Sequence, residues 1–432
     1  MSQFSRVVIT GAGIVSPLGV GRSAFHRSLL EGRSGIREIS IFDATLFTTR
    51  IAAEVREGEE LLDPVSARSG STAPFDRKVG FALDSARQAL FEAFGDLDEI
   101  PYSPRRRGLS FGVGVEIFRM EDIVPCCDVS GSMDVEALEA SLRGQSVRHR
   151  FRIPSDLGPR MIRELARIRG RSRVNVGACV ASAQAVGEGF RMIQRGRAEM
   201  VLVGGADSMI NPLAVAGFGL LSATSASNHL GSGASRPFDR RRDGFVLGEG
   251  GAALILECLE SAQNRGATIL AEVVGYGTSL DAFKITDPAE DGDGATRSMQ
   301  GALRDARIEP CDVSYINAHG TSTIKNDVVE TMAIRKVFGD HAKKIPISST
   351  KSMMGHCIAA AGAMEAVACL LPFERGQVHP TINLIESDPD CDLDYIPGVS
   401  RDVDARFVLS NSFGFGGQNA TLILGRYPME SP

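Results

Sequence analysis

The chain has 432 residues, 43% hydrophobic and 23% charged, a composition that supports a substantial core in two or three domain-sized units. The formal net charge of −6 argues against general nucleic-acid binding. The eight cysteines include no CxxC pair, which argues against a disulfide scaffold, a zinc site or a redox pair, and we expect reduced thiols in a cytoplasmic protein.

Short runs rich in β-branched residues alternate with helical patterns along the chain. Strands are predicted at 7–10, 200–203, 252–256, 270–274, 313–316 and 420–424, and helices at 79–94, 181–194, 295–306 and 359–371. This alternation indicates an α/β fold with a buried, partly parallel sheet. The first run is short and precedes Pro17, so it predicts a strand and turn rather than a signal peptide. Without a stretch of about 18 apolar residues, we expect no membrane span.

Three segments recur in the same order in the two parts of the chain. Residues 6–16 resemble 271–279, 177–186 resemble 355–364, and 250–256 resemble 417–424. The matches predict two related halves, 1–260 and 261–432, joined near 258–266. A pseudo-twofold arrangement would bring the two small-residue helices together at the centre. Residues 102–173 are interpreted as an elaboration of the first half.

Cys179 opens the first small-residue helix, after Gly177 and Ala178. The positive end of a helix dipole favours a thiolate, and a thiolate can carry an acyl group as a thioester. The alternative is a buried structural cysteine, which is the commoner fate of this residue type. The local pattern alone leaves both open.

Two histidines are candidates to accompany this thiol. His319 follows a predicted strand on a loop with Thr321 and Thr323, whose hydroxyls can bind an amide-bearing ligand, although an ordinary turn with a surface histidine fits equally well. His356 is one position from the residue that the repeat aligns with Cys179. Symmetry therefore predicts that His356 lies opposite the thiol, and a helix-capping histidine is the alternative.

Other polar and glycine-rich elements surround these candidates. Lys351 and Glu330 belong to the site or simply face solvent. The glycine-rich segment 411–419 lets backbone N–H groups approach a ligand closely and is a candidate for half of an oxyanion hole. It precedes a strand rather than opening a helix, so it is not a dinucleotide fingerprint.

Taken together, these motifs resemble the β-ketoacyl-acyl-carrier-protein synthases, in particular the type II elongating condensing enzymes. The resemblance runs nearly end to end, through segments 6–19, 177–187, 235–249, 317–323, 349–356 and 411–419. It implies a thiolase-like fold, in which two duplicated α/β halves form five layers (αβαβα). It also implies a homodimer, with a heterodimer as the alternative, and acyl carrier protein as the partner.

The resemblance implies roles for the candidate residues. Cys179 takes an acyl group from phosphopantetheine, and His319 and His356 assist decarboxylation of a malonyl thioester and stabilise the enolate. The backbone N–H groups of Cys179 and Phe415 hold the oxyanion. No metal or redox cofactor is expected, because loss of carbon dioxide generates the nucleophile.

Further residues take supporting roles in the same resemblance. Lys351 and Glu330 match a charged pair that orders the histidines. Phe415 matches a gate, and Thr321, Thr323 and Phe413 are expected to contact substrate.

Three functions are compatible with this resemblance. The leading hypothesis is fatty-acid elongation, and the alternative is a ketosynthase of a type II polyketide or specialised lipid pathway. A non-catalytic chain-length-controlling subunit is disfavoured by the complete set of Cys179, His319 and His356.

A basic docking patch is expected because carrier proteins are acidic. Its candidates are Arg77, Lys78, Arg148 and Arg150, with solvated surface charges as the alternative.

Overall fold

The structure is a computed structural model and describes residues 4–56, 76–115, 124–127, 132–143 and 154–428. Its strands are β1 (Val7–Ser16), β2 (Gly19–Val20), β3 (Ile36–Glu38), β4 (Ile51–Ala53), β5 (Arg107–Val113), β6 (Ser172–Asn175), β7 (Met200–Ser208), β8 (Glu249–Cys258), β9 (Ala271–Leu280), β10 (Val313–Asn317), β11 (Ile347–Ser348), β12 (Gln377–Val378), β13 (Arg401–Asp402), β14 (Phe407–Phe413) and β15 (Gln418–Gly425).

The α-helices are mostly short and lie between these strands. They are α1 (Arg22–Leu30), α2 (Arg77–Phe94), α3 (Val135–Arg143), α4 (Leu157–Leu165), α5 (Ala181–Gln194), α6 (Pro212–Leu220), α7 (Leu259–Asn264), α8 (Asp293–Ala306), α9 (Ile324–Phe338), α10 (Lys351–Met354), α11 (Ala361–Ala368) and α12 (Leu371–Arg375). The 3-10 turns are Pro104–Arg106, Val124–Cys126, Ala178–Val180, Asn228–Gly233, Pro310–Asp312, Ile358–Ala360 and Gly339–Lys343.

The predicted strands and helices correspond to observed elements, with one helix divided. The helix predicted at 181–194 is confirmed at both ends as α5. The helix predicted at 359–371 is instead a 3-10 turn followed by α11 and the separate α12. Pro372 explains the break, because a proline lacks the N–H that would bond to the carbonyl of Ala368 four residues earlier.

One sheet contains two copies of the same strand arrangement. From its centre outward, the first copy runs β1-β8-β7-β5-β6 and the second runs β9-β15-β14-β10-β11. In both copies the strands nearest the centre pair antiparallel and the outer ones pair parallel. An antiparallel β1–β9 contact joins the copies. The predicted boundary at residue 260 lies in α7, between β8 and β9.

The predicted elaboration at 102–173 contains part of this repeated arrangement. It includes β5 and the first two residues of β6, and these strands match β10 and β11 of the second copy. The region therefore belongs to the duplicated framework rather than only adding to it. The strand pattern of β5 was hidden by its initial arginine, Arg107, which is buried and donates to the backbone carbonyls of Ile100, Tyr102 and Ala166.

The helices complete a five-layered arrangement. α5 and α11 contact each other and lie between the two copies of the sheet, α2 packs on the outer face of the first copy, and α8 packs on that of the second. Every residue of α11 is buried. The central helices approach so closely that a Cβ on Gly362 would lie 2.7 Å from the Cβ of Ala183. Substitution there would overpack the centre at a cost of about 1–3 kcal/mol.

Within the described ranges, every helix is too short or too polar to cross a bilayer.

Candidate active site

The nucleophile candidate lies on a strained turn at the start of a central helix. Cys179 occupies the 3-10 turn Ala178–Val180, and α5 begins directly after it. Ala178 has φ 48°, a left-handed conformation that costs a non-glycine residue about 1–3 kcal/mol. The turn places Cys179, which is 5% exposed, at the positive end of the helix dipole.

The second half repeats this turn in a different register from the sequence match. Ile358 has φ 43°, and α11 begins at Ala361. Matching turn to turn pairs Ala178 with Ile358, and so pairs Cys179 with Ala359 rather than with Cys357. The alignment of 177–186 with 355–364 was therefore wrong by two residues, because identical Gly, Cys and Ala residues favour that register in sequence.

The structure nevertheless brings the predicted histidines to the thiol. Nε2 of His356 lies 3.1 Å from Sγ of Cys179. The rings of His319 and His356 have centroids 5.3 Å apart at an interplanar angle of 84°. The ring of Phe413 lies 5.8 Å from that of His319. Residues from both halves therefore converge on one buried point.

Burial determines the resting protonation of these groups. It raises the pKa of Cys179 to about 11, against the opposing effects of the Phe415 backbone N–H, the Lys351 charge and the cysteine's own N–H. Burial, followed by the Lys351 charge, holds the pKa of both His319 and His356 well below 6.5. The resting site therefore contains a thiol and two neutral imidazoles, each with one N–H to donate.

The loop that carries His319 is held by an acidic residue of α9. The Glu330 carboxylate accepts from the backbone N–H groups of His319 and Gly320, both at 2.8 Å, and from Nδ2 of Asn411 at 3.2 Å. Burial raises the pKa of Glu330 to about 7, although these donors oppose the rise. Glu330 thus fixes the backbone of the loop rather than contacting an imidazole.

Lys351 has a different carboxylate partner from the one expected. The predicted pairing with Glu330 is wrong. Nζ of Lys351 forms an ion pair with Glu365 of α11, and both side chains are buried. Sequence reasoning missed Glu365. The signal was present, because Glu365 is the single charged residue in a helix of small and apolar side chains.

A cavity of about 370 Å³ leads to the thiol. Its lining includes the predicted residues Cys179, His319, Thr321, Thr323, His356, Phe413 and Phe415. The hydroxyl oxygens of Thr321 and Thr323 lie 2.8 Å apart. The N–H groups of Cys179 and Phe415 both approach the cysteine sulfur, so they face the position where a thioester carbonyl would react.

The docking prediction is wrong for Lys78, which is buried, and stays a prediction for Arg77, whose side chain is 24% exposed. Lys78 is 3% exposed, lies 2.9 Å from Asp76 and donates to the carbonyl of Val115. Arg77 pairs with Glu249 at 2.8 Å. A sequence pattern shows the charge of these residues but not the buried partners that neutralise it.

Arg148 and Arg150, the other two docking candidates, lie outside the described residues.

A thiol at a helix start, two neutral imidazoles and paired N–H donors, on a duplicated α/β frame, define a thiolase-like condensing enzyme. The chain matches the β-ketoacyl synthase N-terminal domain over residues 4–262 and the C-terminal domain over 270–385. It belongs to the β-ketoacyl synthase family, and it is an acyltransferase of the ketosynthase type.

Full-length relatives support this assignment. The chain is 42% identical over 430 residues to 3-oxoacyl-[acyl-carrier-protein] synthase 2 of Synechocystis sp., with 98% of each chain covered. It is 38% identical over 437 residues to the protein of the same name from Staphylococcus aureus, with 99% of this chain and 100% of the relative covered.

Solved structures show the same fold. One is a type II polyketide acyl-carrier protein in complex with its ketosynthase, with TM-score 0.84, 33% identity, and coverage of 98% of this chain and 100% of that one. Another is a β-ketoacyl synthase from Burkholderia phymatum, with TM-score 0.82, 35% identity, and coverage of 98% and 99%.

Proposed function

We propose that this enzyme condenses an acyl group carried on Cys179 with malonyl-acyl-carrier protein in fatty-acid elongation. The observation that carries the proposal is the 3.1 Å separation of Cys179 Sγ and His356 Nε2, with His319 beside them in one cavity. The activity for which the Synechocystis and Staphylococcus relatives are named, that of a 3-oxoacyl-[acyl-carrier-protein] synthase, agrees with it.

The first step is transfer of the acyl group to the enzyme. The Cys179 sulfur attacks the carbonyl carbon of the acyl-pantetheine thioester, the pantetheine carbon–sulfur bond breaks, and the thiol proton moves to the departing sulfur. The negative oxygen of the tetrahedral intermediate accepts from the N–H groups of Cys179 and Phe415. The helix dipole at the start of α5 favours the negative charge that develops on sulfur.

The second step generates a carbanion from the malonyl thioester. Its carboxylate leaves as carbon dioxide, and the electrons of the broken carbon–carbon bond form an enolate. His319 and His356 donate their N–H groups to the enolate oxygen, a role that requires the neutral imidazoles described above. The broken bond supplies the electron pair, so we propose that no metal or redox cofactor takes part.

The third step forms the new bond. The enolate carbon attacks the acyl carbonyl on Cys179, the intermediate oxyanion returns to the same two N–H groups, and the carbon–sulfur bond breaks. This cleavage releases Cys179 as a thiolate, which takes up a proton from solvent, and the β-ketoacyl chain leaves on the carrier protein.

Purified enzyme tests this reaction when supplied with acyl-loaded and malonyl-loaded carrier protein. We expect equal amounts of carbon dioxide and β-ketoacyl-carrier protein. Release of carbon dioxide without the β-ketoacyl product would contradict the proposal.

A role in a polyketide or specialised lipid pathway is the second candidate. The structural likeness to a type II polyketide ketosynthase favours it. Carrier proteins loaded with saturated, polyene and aromatic acyl groups separate the two candidates. A strong preference for saturated chains supports elongation, and a preference for polyene or aromatic chains supports the second candidate.

We also propose a homodimer in the cytoplasm, with acyl carrier protein as its partner. The edge strand β6 is mostly exposed, and Val174 and Val176 are 39% and 54% exposed. Its counterpart β11 is buried, and the backbone N–H of Ile347 in β11 donates to the carbonyl of Asp394. An unpaired strand edge is a template for pairing with a second copy.

Sedimentation of the wild type and of Val174→Lys tests the homodimer. We expect a dimer that dissociates in the variant. A wild-type monomer that assembles only with a different chain would support a heterodimer instead.

A further inference from the structure

Asp207 is a buried carboxylate without a role in the reaction described above. It lies near the end of β7 and is 0% exposed. Its Oδ2 accepts from the backbone N–H of Ala359 at 3.0 Å, and its Oδ1 accepts from that of Ser208 at 2.9 Å. The N–H of Ala359 is the structural counterpart of the Cys179 N–H, which faces the nucleophilic sulfur.

The residue whose N–H is bonded to Asp207, Ala359, directly follows a residue with a strained backbone. Ile358 is β-branched and has φ 43°, a conformation that persists only where its surroundings impose it. His356 precedes it by two residues, with its N–H bonded to the Val246 carbonyl at 2.7 Å and its carbonyl bonded to the Gly248 N–H at 3.0 Å. The segment that carries the His356 ring is therefore held by residues 246–248, which directly precede β8, and by Asp207.

A buried lysine compensates the charge of this carboxylate. Nζ of Lys78 lies 2.9 Å from Asp76 and 2.9 Å from the carbonyl of Val115. Burial raises the pKa of Asp207 to about 6, and the Lys78 charge opposes that rise. Asp76 accepts from the hydroxyl of Ser208, next to Asp207. This contact set explains why Lys78 is buried. It connects α2 and β7 to the turn that follows His356.

The carboxylate has little freedom to move. A Cβ on Gly114, at the end of β5, would lie 2.2 Å from Oδ1 of Asp207. The close approach of Gly114 and the bond from the Ser208 N–H restrict Oδ1, while Oδ2 binds the Ala359 N–H.

We propose that Asp207 is a positioning residue that keeps His356 against Cys179 by anchoring the strained Ile358 turn. This inference rests on the proposed function, in which His356 acts on the malonyl thioester. Acyl transfer to Cys179 relies on the N–H groups of Cys179 and Phe415, whereas decarboxylation needs the imidazole in place. Loss of Asp207 should therefore slow decarboxylation more than acyl transfer.

Asp207→Asn in the full-length enzyme tests this separation. Asparagine has the same shape, but its NH₂ group faces one of two N–H donors, so one hydrogen bond is lost. We expect carbon dioxide release from malonyl-carrier protein to fall about 10- to 100-fold, the scale of a misplaced catalytic group, and acyl transfer to change less than about 3-fold. Asp84→Asn, at another buried aspartate on α2, is the matched control and should leave both rates unchanged.

Equal losses in the two partial reactions would overturn the proposal, because they would indicate general destabilisation. Two unchanged rates would overturn it as well. If Asp207→Asn does not fold, Asp207→Glu carries the test, because the longer side chain displaces the Ala359 N–H while keeping both acceptor oxygens. We then expect a lowered ratio of decarboxylation to acyl transfer, and a wild-type ratio would overturn the proposal. A wild-type enzyme that releases no carbon dioxide would instead contradict the proposed function.

Discussion

The two turns that begin the central helices have the same backbone shape and different surroundings. At Ala178–Val180 the second N–H, that of Cys179, approaches a sulfur atom at the end of a cavity. At Ile358–Ala360 the second N–H, that of Ala359, is bonded to the buried carboxylate of Asp207. A left-handed residue opens both turns.

The difference shows how a duplicated frame supports one reaction centre. Each copy places an N–H donor at the start of a central helix, and the donor is available for chemistry only where no protein group occupies it. The equivalent donor of the second half is bonded by Asp207 from the first half, and the nearby His356 extends to the thiol of the first half. The reaction centre thus depends on how each turn is surrounded, while the backbone frame is shared.

Replacing the nucleophile Cys179 gives the largest expected effect. Cys179→Ala removes the nucleophile and should lower condensation by more than about 10³-fold. Cys357→Ala, at the residue that the sequence match paired with Cys179, is the control. It should retain activity within a few-fold, because Cys357 is a buried thiol outside the cavity lining. Measured condensation rates with loaded carrier proteins check both, and equal losses would break the comparison of the turns.

His319→Ala tests the contribution of the second half to decarboxylation. Loss of one N–H donor to the enolate should slow carbon dioxide release by about 10²- to 10⁴-fold. Acylation of Cys179, which intact-mass analysis measures, should continue. A variant that loses acylation and decarboxylation together would mean that His319 supports the whole site instead.

Glu330→Gln tests whether the Glu330 carboxylate positions the His319 loop. Glutamine offers one acceptor oxygen in place of the two that bind the N–H groups of His319 and Gly320, so we expect condensation to fall about 10- to 100-fold. Steady-state condensation rates check this, and a rate within 2-fold of wild type would show that the Glu330 carboxylate is not needed to position the His319 loop.

The same substitution also tests how the unfolding free energy of the wild type depends on pH. The pKa of Glu330 is raised from 4.5 to about 7, so between these values the folded protein holds a proton that the unfolded chain releases. This stabilisation is present below about pH 4.5 and is lost as pH rises to about 7. Relative to Glu330→Gln, the wild type should lose about 3 kcal/mol of unfolding free energy across this window. Urea titrations of both proteins measure the difference, and parallel pH profiles would contradict it.

Thr323→Val gives the smallest expected effect. The substitution keeps the side-chain shape and removes a hydroxyl that lines the cavity 2.8 Å from the hydroxyl of Thr321. Loss of one hydrogen bond, about 1 kcal/mol, should raise KM for pantetheine-borne substrates about 5-fold with little change in kcat. A fall in kcat with unchanged KM would contradict a substrate-binding role.

Local patterns in the sequence predicted the frame of the molecule well. Runs of β-branched residues marked the central strands, and the small residues of 181–194 marked a helix that packs closely on its neighbours. Those signals depend on residues near one another in the chain. The alignment of the two small-residue helices was chosen by identical residues. The left-handed backbone angles of Ala178 and Ile358 show that the correct alignment differs from it by two residues.

Contacts between segments that are distant in the chain could not be predicted from the sequence. Lys78 was predicted to be a surface cation, but Asp76 and the Val115 carbonyl bind it in the interior. Lys351 was assigned to Glu330, whereas folding places Glu365 beside it. In both cases the charge was visible in the sequence, but the partner was determined by packing of helices and strands.

In the proposed reaction, Cys179 carries the acyl group that the enolate attacks. Intact-mass analysis of the enzyme after incubation with acyl-carrier protein, followed by peptide mapping, tests it most directly. We predict one added acyl group per chain on the peptide containing Cys179, and its disappearance when malonyl-carrier protein is added and carbon dioxide is released. An adduct on another residue, or one that persists during turnover, would contradict the account.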